Sequence, residues 1–253
     1  RRCMSYDMQG LSFREYMHLF HDIQLPVITL EQILANQLPL DVLPHPLPYF
    51  REYLRGGYYP FALEQGFAMR VEQVVAQSIE VDILQYADMK ASTARRLRQL
   101  LTIVSGLAPY KPNIDSLSPE VGVSKNNLPD YLLYMEKVGL IGLLRDDTMG
   151  LRGLGKIEKL YIDNATLMTI LAAGNPDLGN LRETFFYNQV RVLYPVKASR
   201  DSDFVIGDYT FEVGGKNKGK RQIEHIPNGI VVRDDIEIGH ANIVPLWAFG
   251  LMY

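Results

Sequence analysis

Two carboxylates, Asp203 and Glu212, are spaced so that they meet across a hairpin. The alternating runs 203–206 and 209–213 flank Gly207-Asp208, and a Gly-X pair between such runs favours a two-residue turn. That turn sets Ile206 against Tyr209, Val205 against Thr210, Phe204 against Phe211 and Asp203 against Glu212. The pleat then puts Phe204, Ile206, Tyr209, Phe211 and Val213 on one face, with Asp203, Val205, Thr210 and Glu212 on the other. Opposed like charges in such a pair cost a few tenths to about 1 kcal/mol. Three arrangements relieve the repulsion: solvation of the whole polar face, a divalent cation held by both carboxylates, or a lysine drawn in from the Lys216, Lys218, Lys220, Arg221 cluster that follows.

The elements that must position this hairpin form an α/β pattern. Helices are expected over 165–173 and 179–191, the second carrying Glu183, then a strand over 192–197, the hairpin, a polar turn at Pro227-Asn228-Gly229 and a strand over 230–233. Upstream, Ser12 with Glu15 three places on, and Thr29 before Leu30, have the spacing of helix starts. Prolines at 26, 39, 44, 46, 48 and 60 cut the next segment short, and residues 64–86 have the periodicity of one amphipathic helix.

From Ser92 the order is helix (94–107), short helix (115–121) ended by Gly122, and a third helix (125–138) capped by Ser124 and ended by Gly139. Strands over 140–144 and 159–162 follow. This order resembles a winged helix-turn-helix. The third helix would present Lys125, Asn126 and Asn127 at its start, where polar side chains and free N–H groups meet phosphates or base edges. Its Asp130 and Glu136 suit a protein contact equally well.

The chain has 253 residues, 47% of them hydrophobic, and a net charge of only −3, so no global field draws it to nucleic acid or membrane and any basic surface is local. The single cysteine, Cys3, excludes an internal disulfide framework and a Cys-rich zinc site and points to a reducing, cytoplasmic setting. No apolar run reaches the roughly 18 to 20 residues a membrane span needs. Arg1 in place of an initiator Met reads as a piece of a longer protein. The runs from Gly150 to Ile157 and from Gly214 to Arg221 mimic a phosphate-cradling loop, but each ends without the Ser or Thr that ligates magnesium. The five histidines lack paired ligand spacing.

Gly10-Leu-Ser-Phe-Arg-Glu-Tyr16, Arg55-Gly-Gly-Tyr-Tyr-Pro60, Lys159-Leu-Tyr-Ile-Asp163, Glu183, Phe211-Glu-Val-Gly-Gly-Lys-Asn-Lys-Gly-Lys-Arg-Gln-Ile223 and Pro245-Leu-Trp-Ala-Phe-Gly250 together resemble the predicted prokaryotic ATPases of the AAA superfamily, over nearly the whole chain. The resemblance implies an α+β or α/β chain of four parts. Residues 1–43 would be the tail of the ATPase module, 44–91 a helical linker or lid, 92–163 the winged helix-turn-helix and 164–253 a small restriction-endonuclease-like domain. ATP would be bound only by a missing N-terminal domain.

By the same resemblance Glu183, Asp203 and Glu212 form the acidic set, Asp203 and Glu212 hold Mg²⁺, and a lysine orients water. Residue 214, where the resemblance places that lysine, is Gly, which leaves Lys216 as the nearest replacement. The nucleic-acid contacts would be Lys125, Asn126, Asn127, Lys218, Lys220 and Arg221. Three functions follow: a part of an ATPase that does not itself hydrolyse ATP and engages DNA or a partner protein, a metal-dependent DNA nuclease, or a protein-interaction and self-association module.

Overall fold

Ser12 and Thr29 each start a helix, as their spacing predicts. In the computed structural model, which describes residues 8–87, 91–146, 156–219 and 222–253, the Glu15 N–H donates to Ser12 Oγ at 3.2 Å. The Ser12 N–H donates back to the Glu15 carboxylate at 2.9 Å, which opens α1 (Phe13–His21). Thr29 and Gln32 repeat the exchange at α2 (Leu30–Leu34). α3 (Pro46–Glu52) begins on a proline, whose missing N–H has no intrahelical partner at that position, and runs into a π-helical turn, Tyr53–Gly57. The helix expected over 64–86 starts later, at α4 (Phe67–Gln77), because Gly66 is left-handed (φ 76°). A π segment, Ser78–Asp82, joins it to α5 (Ile83–Tyr86).

α6 (Ala91–Leu107) turns Leu97, Leu100, Leu101 and Val104 inward, and α7 (Ile114–Val121) is capped by Asn113 and ended by left-handed Gly122. α8 spans Leu128–Lys137 rather than starting at Lys125. From Lys125, Pro129 would fall in the second turn, where it lacks a needed N–H; from Leu128 it sits in the first, where none is needed. Residues 124–127 form a turn in which Asn127 N–H donates to Ser124 Oγ at 3.3 Å.

β1 (Ile141–Arg145) and β2 (Ile157–Ile162) pair antiparallel, Ile141 opposite Ile162 and Leu143 opposite Leu160. α9 (Ala165–Leu171) and α10 (Leu178–Val190) follow, capped by Asn164 and Asp177. A five-stranded sheet comes next: β3 (Lys197–Ala198), β4 (Phe204–Ile206), β5 (Tyr209–Gly214), β6 (Gly229–Arg233) and β7 (Ile243–Pro245), adjacent in that order. β3–β4 and β4–β5 are antiparallel, β5–β6 and β6–β7 parallel. The strand expected over 192–197 shrinks to Lys197–Ala198, because the N–H groups of Leu193 and Tyr194 still bond to Val190 O at the end of α10.

The architecture is mixed α+β, as expected. One face of the sheet is sealed by aromatics: Phe186 of α10 lies 5.0 Å from Phe204, 5.4 Å from Phe211 and 4.7 Å from Phe249. The other face carries a smaller cluster of Ile223, Val231 and Ile243. The chain's first described segment lies against its last, with Ser12 Oγ and Arg14 Nε both donating to Tyr253 O at 2.8 Å. Among the described residues no helix is long and apolar enough to cross a membrane.

Candidate functional site

Gly207, at φ 57°, makes the turn that sets the hairpin register, and the ladder pairs Phe204 with Phe211, Val205 with Thr210 and Ile206 with Tyr209 as the turn predicts. The polar face of the hairpin is not solvated. Glu212 is 2% exposed and the Asp203 side chain 15%, since the loop after β5, the start of α10 and β2 close over them. Of the three compensations open to the opposed carboxylates, the fold uses lysines, and one of them comes from elsewhere in the chain.

Lys159 stands on β2. Its ammonium donates to Glu183 Oε2 at 3.0 Å and lies 3.5 Å from Asp203 Oδ1. Tyr161, two residues along the same strand and so on the same face, donates its hydroxyl to Glu183 Oε2 at 3.0 Å. Asp203 Oδ2 accepts from Val213 N–H at 2.8 Å. Glu212 Oε2 accepts from Ser202 Oγ at 2.6 Å, and its other oxygen pairs with Lys218. Lys218 reaches back because its stem crosses Gly214, where a Cβ would come within 2.6 Å of Lys218 Cδ. Its backbone is held in that turn by its N–H to Gly215 O at 2.9 Å and by Arg233, whose Nε and Nη2 donate to Lys218 O at 2.9 and 2.6 Å. The nearby Arg182 of α10 is committed to Asp234 at 2.8 Å and Asp235 at 3.6 Å.

The electrostatics record this crowding. Burial, and after it the Glu183 and Glu212 carboxylates, push the Asp203 carboxyl up to about 6, against the pull of Val213 N–H and Lys159. Burial alone would lower Lys159, but Glu183 and Asp203 outweigh it and hold the ammonium above the usual lysine range. Burial and then Glu183 raise the Tyr161 hydroxyl well above its ordinary value, so it stays a donor.

Of the expected acidic set, Asp203 lies near both Glu183 and Glu212, although no three such side chains among the described residues are grouped closely enough to hold a metal, and the expected lysine is not the one that joins them. Lys216 is exposed and makes no ion pair with the set among the described residues. Lys218, expected at nucleic acid, is turned onto Glu212 instead. Lys125, Asn126 and Asn127 are exposed in the turn before α8, with Lys125 2.5 Å from Asp115. Lys220, Arg221, Cys3 and most of the run from Gly150 to Ile157 lie outside the described residues. Sequence reasoning missed Lys159 and Tyr161 as site residues. The signal was there: a lysine and a tyrosine two apart in a strand whose other end is buried, which places both polar groups on one face.

A Mg²⁺ ion does not fit this donor arrangement. Bridging Glu183 and Asp203 would bring a divalent ion to within about 4 Å of the Lys159 ammonium, a repulsion of several kcal/mol at an effective dielectric constant of about 20. The second carboxylate expected to hold the ion, Glu212, has one oxygen paired with Lys218 and the other bonded to Ser202.

Against this geometry, the family model described as Domain of unknown function (DUF8612) matches residues 47–177. The chain belongs to that family. The DUF8612 match runs from α3 through β2 and α9, so it contains Lys159 and Tyr161 but ends before Glu183, Asp203 and Glu212. A solved structure, disulfide-formed AbfR, is 17% identical over 46% of this chain and 76% of its own, with a TM-score of 0.23, too low to carry any argument. No curated protein matches the chain.

Proposed function

We propose that this chain is the C-terminal, non-ATP-hydrolysing part of an AAA-type ATPase and that it engages DNA in the cytoplasm. In this reading α6, α7, α8 and the β1–β2 hairpin act as a winged helix-turn-helix, and the domain after them serves as a restriction-endonuclease-like frame. The observation that carries it is the exposed Lys125-Asn126-Asn127 turn leading into α8, where a cation and two amides stand free of the core. The Lys125–Asp115 pair does not tie that cation down, because both side chains are mostly exposed and such a pair is worth at most about 1 kcal/mol.

Fluorescence anisotropy with duplex DNA tests the proposal. Affinity should fall steeply as salt rises, and Lys125→Glu should weaken binding while reducing the salt slope by about one or two counterions. Binding insensitive to both salt and Lys125→Glu, or capture of a protein with no DNA affinity at all, overturns it.

A second reading, a metal-dependent DNA nuclease, draws support from Asp203 lying near both Glu183 and Glu212. It predicts plasmid cleavage with Mg²⁺ or Mn²⁺ that Asp203→Ala abolishes. The two lysines lying on the carboxylates make it the weaker reading.

A further inference from the structure

The acidic set carries its own counter-ions. Lys159 approaches from β2, 24 residues before Glu183 and 44 before Asp203 in sequence, and Lys218 from the loop after β5. Each ammonium lies on carboxylate oxygens that a cation would otherwise take. Arg182, which also lies near the hairpin, is occupied by Asp234 and Asp235. Neither lysine is in place by accident of a mobile surface chain. Lys159 is fixed by strand pairing, β2 with β1, and Lys218 by Gly214, Gly215 and Arg233.

We infer that Lys159 and Lys218 act as tethered cations that take the place of a divalent metal between Glu183, Asp203 and Glu212, so that the natural chain does not use a metal there. Lys159 is the more exchangeable of the two. Its side chain is 31% exposed and its partners are 19% and 15% exposed, whereas Lys218 faces a glutamate that is only 2% exposed. Removing the Lys159 charge leaves Glu183 and Asp203 uncompensated and open to a cation from solution. The inference needs no DNA binding and goes beyond the proposed function, since a chain that ignores DNA could still be neutralised in this way.

The test is Mn²⁺ binding to the whole chain, read by the loss of free-ion paramagnetic resonance signal in the absence of DNA. The natural protein should show no saturable binding at millimolar Mn²⁺. Lys159→Met, which keeps the apolar stem, should gain one saturable site at least about tenfold tighter, and adding Asp203→Asn should remove it. Circular dichroism checks that Lys159→Met is folded, and Lys159→Gln serves as a second, polar replacement should the methionine variant fail that check. Saturable binding by the natural protein that neither replacement strengthens overturns the inference, and so does the absence of binding in both folded variants. Because no nucleic acid is present, either result leaves the anisotropy test of the proposed function to stand or fall separately.

Discussion

Asp203→Asn keeps the shape of the side chain and an acceptor for Val213 N–H while removing the charge. Burial and Glu183, with a smaller push from Glu212, raise the Asp203 carboxyl from 3.8 to about 6, and the opposing pull of Lys159 is already contained in that shift. The sign follows from proton counting. Between the two values the folded protein holds a proton that the unfolded chain has released, so stability falls as pH rises through that window and the cost is complete above it. Two units at about 1.4 kcal/mol each place that cost near 3 kcal/mol. The asparagine variant is therefore expected to exceed the natural protein in stability by up to about 3 kcal/mol near pH 8, and by only about 1 kcal/mol near pH 4.5. Urea unfolding at both pH values, with unchanged m-values, measures the difference. An advantage independent of pH, or a variant less stable than the natural protein near pH 8, would refute the account of Asp203 as an ionised group strained by its neighbours.

Two further perturbations probe the supports. Tyr161→Phe deletes a buried donor to Glu183 and should lower stability by about 1.5 to 3 kcal/mol, the range for a hydrogen bond to a charged group; an unchanged thermal midpoint would mean that Lys159 alone satisfies Glu183. Ser12→Ala removes both the cap of α1 and the hydroxyl bonded to Tyr253 O, and should cost about 1 to 2 kcal/mol in urea unfolding. A loss of only a few tenths would show that neither the cap nor the contact with Tyr253 O stabilises the fold as argued.

The parts of the fold readable in sequence are those set by short-range chemistry. Gly207-Asp208 fixes the hairpin register because a left-handed glycine leaves little choice of turn, and Ser12, Thr29 and Gly122 mark helix ends through bonds spanning a few residues. Where a boundary depended on competition, the reading slipped: Pro129 outweighed the Ser124 cap in placing the start of α8, and α10 ran on into residues expected to be strand. The acidic set was legible as three positions, but its counter-ions were not. Lys159 meets Asp203 across 44 residues through tertiary packing, and the choice of Lys218 over Lys216 depends on Arg233 gripping the Lys218 carbonyl.

The glycine at 214, which reads in sequence as a lost lysine, has a positive role in the structure. Glu212 is buried, and a buried carboxylate left without a partner costs roughly 3 to 5 kcal/mol. Its partner's stem lies over Gly214, where a Cβ would meet it at 2.6 to 2.9 Å and push it aside. The Glu212–Lys218 half of the cluster is therefore bound to the folding of the loop after β5 and cannot be released without cost to stability. The Glu183–Asp203–Lys159 half is more exposed, joins β2 to the hairpin and α10, and contains Asp203, whose carboxyl burial and Glu183 push up to about 6. Through Lys159, which pairs with both carboxylates of that second half, their charge is coupled to the β1–β2 hairpin.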